Sequence, residues 1–151
     1  MQEGLELFTR IFMKYDILEK APIDIGIGKK LTATHAHMVA AIGKEYGKTV
    51  TALSDYFMIT KGAVSQIVSK LDKAGYVAKT KKKGNDKEII LELTDKGWKV
   101  FDLHEKYTRA EMNELMQIRN KYSEAEHRLF LNMLNDVDIF FGAYIAKKKN
   151  R

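Results

Sequence analysis

Residues 59–97 read ITKGAVSQIVSKLDKAGYVAKTKKKGNDKEIILELTDKG. The stretch contains a helix start, a helix stop, a hairpin and a second helix start. Thr60 is a good N-cap, because its hydroxyl can accept from the free amides of a first turn. Val64, Ile67, Val68 and Leu71 then recur at i, i+3, i+4 and i+7, one apolar face of an α-helix. Gly75 follows, where a left-handed closing residue is usually needed. The opposite face carries Lys61, Ser65, Gln66, Ser69 and Lys70, with no carboxylate before Asp72. A helix anchored on one side and offering hydrogen bonders and cations on the other suits the major groove of DNA.

Working outward, Tyr76 to Thr80 is expected to form one strand and Glu88 to Leu93 a second. In the second, Ile89, Leu91 and Leu93 alternate with Glu88, Ile90 and Glu92, the period of a strand buried on one face. Lys81, Lys82, Lys83, Gly84, Asn85, Asp86 and Lys87 lie between them as a polar tip with good turn formers. A basic hairpin beside a groove-reading helix is a winged helix-turn-helix. Upstream, Thr49 to Phe57 supplies the scaffold helix of the pair, with Val50, Leu53 and Phe57 inward.

The run from Leu31 to Gly97 resembles the winged-helix core of MarR-type transcriptional regulators. The resemblance is most specific in Ile59–Ser65, Leu71–Val77 and Leu93–Gly97. The wing of that family usually carries an Asp-x-Arg; here Asn85-Asp86-Lys87 stands in its place, so Lys87 replaces the arginine that enters the minor groove. That swap keeps the charge and loses the planar fork. The scaffold helix has Ser54 and Met58 where the family often has Ala and Gly. The resemblance implies a dimer in which the first, fifth and sixth helices of two protomers interlock. It also implies a cleft between the two lobes that takes aromatic or anionic ligands.

Charge placement agrees with a DNA partner. The chain has 151 residues and a net charge of +6. Residues 44–87 hold ten lysines against four acids, and the rest of the chain is balanced. Extending that window to Leu93 brings in Glu88 and Glu92 and weakens the bias without removing it. Phosphate attraction requires such a bias on the reading unit. The length fits one domain, 1–151, with an ordinary globular composition.

Pro22 is expected to end a first helix whose Leu5, Phe8, Phe12 and Tyr15 form an apolar stripe. Pro22 to Lys30 reads as a loop, and Leu31-Thr32 as the opening of a second helix with Met38, Ala41, Ile42 and Tyr46 inward. Thr94 caps a long helix to about Asn120. Ser123 caps the last helix, with Glu126 three residues on in a capping-box pattern. There Phe130, Leu134, Val137, Phe141 and Tyr144 share one stripe, and Leu131, Ile139, Phe140 and Ile145 broaden it. Apolar surface of that extent marks an intermolecular interface.

Several chemistries are excluded. With no cysteine there is no disulfide and no thiolate nucleophile. The serines lie on the groove-facing helix or at caps, and no glycine-rich phosphate loop follows a strand, so no enzyme is expected. The first residues lack the features of a signal peptide. The longest apolar stretch, Ile139 to Ala146, is far short of the ~20 residues that span a bilayer. The expectation is a cytoplasmic protein without a membrane partner.

A metal-responsive regulator is one alternative. His35, His37, His104 and His127 are the available ligands. The resemblance extends to a zinc-sensing branch with a Glu-His pair where Ala36 and His37 fall, but the Glu and the Cys of that branch are missing. Residues at i and i+2 on a helix point in different directions, so hydrogen-bonded histidines are the reading kept, with no metal and no cofactor. A winged helix used as a protein-protein module is the other alternative; polar Ser65, Gln66 and Ser69 on the outer face favour DNA over it.

The resulting expectation is a mainly α chain with a small β-hairpin wing. Residues 31–93 form the DNA-binding lobe, and 1–21 with 94–149 form the dimerisation helices. Lys61, Ser65, Gln66 and Ser69 face bases; Thr49, Thr51, Thr60 and Lys70 hold phosphates; Lys81, Lys82, Lys83, Asn85 and Lys87 form the wing contacts. Leu5, Phe8, Phe12, Phe130, Leu134, Val137, Phe141 and Tyr144 are the expected dimer interface. Tyr15, His37, Tyr46, Trp98 and Phe101 are the candidate ligand cleft. Function is expected to be repression from a palindromic operator by a homodimer, relieved by a small molecule.

Overall fold

In the computed structural model, residues 2–23, 31–44, 49–82 and 85–149 are described. Their order is α1 (Gln2–Lys20), β1 (Pro22–Ile23), β2 (Leu31–Thr32), α2 (Ala33–Gly43), α3 (Val50–Phe57), α4 (Lys61–Lys73), β3 (Val77–Lys82), β4 (Asn85–Leu93), α5 (Asp95–Arg119) and α6 (Glu124–Lys149). The mainly helical chain with one β-hairpin is the architecture the sequence implied.

Side-chain oxygens fix where α2 through α6 begin. Thr32, Thr49 and Thr60 accept from the amides of His35, Ala52 and Ala63, each satisfying one amide that the helix itself leaves unpaired. Thr94 does the same for Gly97 at 3.1 Å. Ser123 and Glu126 form a reciprocal capping box, with Glu126 accepting from the Ser123 amide at 2.8 Å. The Ser123 hydroxyl, and then the Ser123 amide, donate to the Glu126 carboxylate and hold it below its ordinary pKa.

Leu31-Thr32 opens α2 as its cap segment and is itself extended. It pairs with Pro22-Ile23 in a two-residue antiparallel ladder, Pro22 opposite Thr32 and Ile23 opposite Leu31. The reason is local: Thr32 is the cap of α2, and a capping residue keeps extended torsions, here φ −78° and ψ 161°.

The chain divides into two compact units, Met1–Tyr107 and Thr108–Arg151. The core of the first joins Met38, Val39 and Ile42 of α2, Leu53 of α3, Val64, Val68 and Leu71 of α4, Tyr76 and Val77, Leu91 of β4 and Val100 of α5. α2 lies at its centre, with Met38 through Ile42 all buried. A helix buried nearly all round shows no single apolar stripe, so the sequence identified only part of its core contribution.

The wing is longer than expected. β3 reaches Lys82 and β4 starts at Asn85, with Val77 opposite Leu93, Lys81 opposite Ile89 and Lys82 opposite Asn85. The register shifts between Lys81 and Lys82. Lys79, Thr80 and Lys81 of β3 are exposed, so the hairpin has left the core by this point and the alternating pattern no longer tracks burial. Ile89 accordingly is exposed where the pattern put it inward, whereas Leu91 is buried.

Neither α1 nor α6 holds a buried residue. Phe12, Phe130, Phe141 and Tyr144 are exposed, Leu134 narrowly so, and Phe8 and Val137 are half-buried. α6 is also long and apolar enough to cross a bilayer by length and composition, with mean hydropathy 1.3 and none of the span buried. The sequence reading found its uninterrupted apolar run too short, because Asn135, Asp136 and Asp138 break the run while the average passes over them.

Candidate nucleic-acid interface

Two helices and the turn between them define the candidate interface. Leu53 of α3 and Val64, Val68 and Leu71 of α4 are fully buried and fix the pair. Ile67 is half-buried at the rim of the same core. The periodicity then forces Lys61, Ser65, Gln66 and Lys70 outward, all exposed, with Ser69 half-buried. Thr51 is exposed on the first turn of α3, while Thr49 and Thr60 are caps. In capping, each threonine uses a lone pair; its hydroxyl proton stays available to a phosphate oxygen.

The turn between the helices carries unusual backbone. Met58 closes α3 in the left-handed region, φ 52° and ψ 35°, and is the only non-glycine residue with positive φ among those described. A side chain there costs roughly 1–2 kcal/mol. Met58 gains little in return, being 86% exposed. The chain then turns through Ile59 into Thr60, the Ile59 amide donating to the Ser54 carbonyl at 3.1 Å. Ser54, buried in α3, places its hydroxyl on the Thr51 carbonyl at 3.0 Å, which satisfies a polar group in an otherwise apolar layer.

The wing lies next to α4 through an ion pair. Lys79 of β3 meets Asp72, the first carboxylate of α4, at 3.0 Å. That pairing neutralises the one acid on α4. Lys81 is exposed. Lys82, Asn85 and Lys87 belong to the strands, their side chains outside the described residues; Lys83 lies outside them altogether, as does Tyr46.

The remaining candidate positions, described one by one, lie on α1, α2 and α5. Trp98 and Phe101 meet edge to face, centroids 5.1 Å apart. Tyr15 is exposed on α1. His37 instead belongs to a polar cluster that joins three helices. Its Nδ1 lies 3.2 Å from Glu19 of α1, and its ring meets His104 of α5 edge to face at 5.0 Å. Glu105 beside it pairs with Lys44 at 2.6 Å. Burial, and then His37, push His104 below the ordinary histidine pKa, opposed by Glu105. Burial, and then Lys70, lower His35 likewise; its Nδ1 lies 2.6 Å from the Thr32 hydroxyl. Among the described residues no three His, Asp or Glu side chains are grouped to hold a metal ion. His127 sits on the first turns of α6. The Glu19–His37–His104 association was not visible in sequence, since its partners are far apart along the chain.

A family model for the MarR family matches residues 29–87. An uncharacterised HTH-type transcriptional regulator of Bacillus subtilis (strain 168), YhjH, is 30% identical over 137 residues, covering 88% of this chain and 78% of that protein. Among solved structures, Streptococcus pneumoniae FabT in complex with DNA superposes with a TM-score of 0.73 at 23% identity, over 94% of this chain and 97% of that one. Lactococcus lactis ZitR in complex with DNA gives 0.76 at 16% identity, over 93% and 97%. With the buried α3–α4 pair and its hairpin, these likenesses lead to one conclusion: the chain belongs to the MarR family of helix-turn-helix transcriptional regulators, which are not enzymes.

Proposed function

We propose that this chain is a sequence-specific DNA-binding repressor, acting as a homodimer on a palindromic operator in the cytoplasm and released by a small ligand. One observation carries the reading. α4 is anchored by Val64, Val68 and Leu71 and leaves Lys61, Ser65, Gln66 and Lys70 exposed, while its one carboxylate is paired with Lys79. Gln66 suits bidentate recognition of adenine, and Lys61 recognition of guanine. Thr49, Thr51, Thr60 and Lys70 act on phosphates, with Ser65 and Ser69 beside the base edges. Lys81, Lys82, Lys83, Asn85 and Lys87 provide the wing contacts, Lys87 nearest the minor groove. FabT and ZitR have both been solved on DNA, which supports the same use of this fold here.

The exposed apolar faces of α1 and α6 support dimerisation. Asp136 and Asp138, near the middle of α6, would cost about 2.5–3.5 kcal/mol each at a bilayer centre, which favours a protein partner over a membrane. In a two-fold dimer the same patch is used twice. Two recognition helices then enter successive major grooves about 34–36 Å apart. Tyr15, His37, Tyr46, Trp98 and Phe101 remain the proposed ligand-responsive positions.

Gln66→Ala tests the central role. Binding to a duplex selected by the wild-type protein is expected to weaken by about 1–3 kcal/mol, with relaxed preference at one base pair per half-site. An equal loss on selected and random duplexes would remove Gln66 from base reading. A salt titration of the wild type separates this function from a protein-protein module, which gives no salt-dependent binding to duplex DNA.

A further inference from the structure

The recognition helix ends against the start of α5. Within α4's own closure, the Gly75 amide bonds to the Asp72 carbonyl and the Tyr76 amide to the Leu71 carbonyl, both at 2.9 Å. Gly75 has φ 76°, the left-handed position such a closure needs. Those bonds consume amides and leave the carbonyls of Ala74, Gly75 and Tyr76 without helical partners. All three are taken by the cap and first turn of α5. Lys96 Nζ donates to Ala74 O at 3.0 Å, Thr94 Oγ1 to Gly75 O at 2.6 Å, and the Thr94 amide to Tyr76 O at 3.2 Å. The Lys96 ammonium also lies 4.3 Å from the centre of the buried Tyr76 ring. Gly97 permits the approach, because a Cβ there would overlap the Tyr76 carbonyl oxygen.

We propose that Thr94 and Lys96 are positioning residues for DNA recognition: they latch the C-terminal end of α4 to α5 and so set the angle at which α4 presents Ser65 and Gln66. The proposal rests on the reading of α4 as the helix that enters the groove. Geometry makes the angle matter. Gln66 lies about 12 Å along the axis from Ala74, so a tilt of about 5° at the latch moves it by about 1 Å. A displacement of that size takes a bidentate hydrogen bond out of range. Lys96 itself faces the end of α4 and makes no contact of its own with DNA in this account.

The test uses the full chain and two duplexes, one selected by the wild-type protein from a random pool and one of random sequence. Lys96→Met is expected to lower the ratio of selected to random affinity about tenfold, the size of one charge-assisted hydrogen bond. The slope of affinity against salt should match the wild type, and Lys96→Arg should restore the ratio. Thr94→Asp keeps the α5 cap but cannot donate to Gly75 O; it is expected to behave like Lys96→Met and serves if that variant is too unstable to assay. An unchanged ratio in folded variants overturns the latch. So does an equal loss on both duplexes with a shallower salt slope, because Lys96 would then touch phosphate. A wild type that does not distinguish the duplexes defeats the base-reading function itself, an outcome separate from failure of the latch alone.

Discussion

The winged-helix unit and the last helix solve the burial problem in opposite ways. In the first, Leu53, Val64, Val68, Leu71, Tyr76 and Val100 are all fully buried. α6 instead exposes Phe130, Leu134, Phe141, Tyr144 and Ile145, although it is as rich in large apolar groups. The difference teaches that one part of the sequence encodes a fold complete in itself. The other encodes an exposed apolar surface, which the proposed function assigns to a partner. In the proposed dimer, sequence-specific binding depends on both, because two copies of the first would be spaced by pairing of the second.

Phe141→Asp should show the largest effect if that contrast is real. Each buried apolar side chain contributes roughly 1.5–3 kcal/mol, the loss is doubled by two-fold symmetry, and an unpaired charge is added. Sedimentation is expected to show monomeric or unfolded protein with greatly weakened DNA binding. If α6 is merely solvated, the same change is neutral, and the comparison fails.

Gly97→Ala attacks the complete unit. The added methyl meets a backbone carbonyl that cannot rotate away, so a loss of about 3 kcal/mol is expected in denaturant melts. A near-neutral result would mean that the α4–α5 junction has slack.

Acid should act next. His104 and His35 have folded pKa values below the ordinary histidine value. The unfolded chain therefore binds protons first as pH falls through about 6.5. Stability is complete above that value and is lost progressively toward the lowered folded pKa. Melting temperature should fall between about pH 7.5 and about pH 5.5, and His104→Gln should flatten the dependence. A flat wild-type profile would contradict the burial of these rings.

Met58→Gly is the smallest. Relief of the left-handed strain, about 1–2 kcal/mol, is offset by about 0.5–1 kcal/mol of added backbone freedom in the unfolded chain. A net gain of several tenths of a kcal/mol is expected by chemical denaturation. A loss would show that the exposed Met58 side chain makes a contact worth keeping.

Much of this fold was legible because its signals are short-range. Thr60, Gly75, Thr94, Ser123 and Glu126 announce helix ends through bonds reaching three or four residues. The 3.6-residue period separated Val64, Val68 and Leu71 from Ser65, Gln66 and Lys70. What stayed hidden depends on partners distant in sequence. The β1–β2 pairing needs Ile23 and Leu31 to meet, and the latch needs Thr94 to reach Gly75. Glu19, His37 and His104 come together only once three helices pack. The sequence of residues 82–87 does not alternate, so the extra length of the wing was invisible. The proposed ligand cleft has the weakest sequence signal, since Tyr15, Trp98 and Phe101 follow rules that core aromatics also obey.

Sedimentation of the wild-type protein with a single selected duplex tests the central claim most directly. The account predicts a dimer without DNA at micromolar concentration and two chains per duplex with it. A monomer that binds the selected duplex one chain at a time, with unchanged preference, would contradict it.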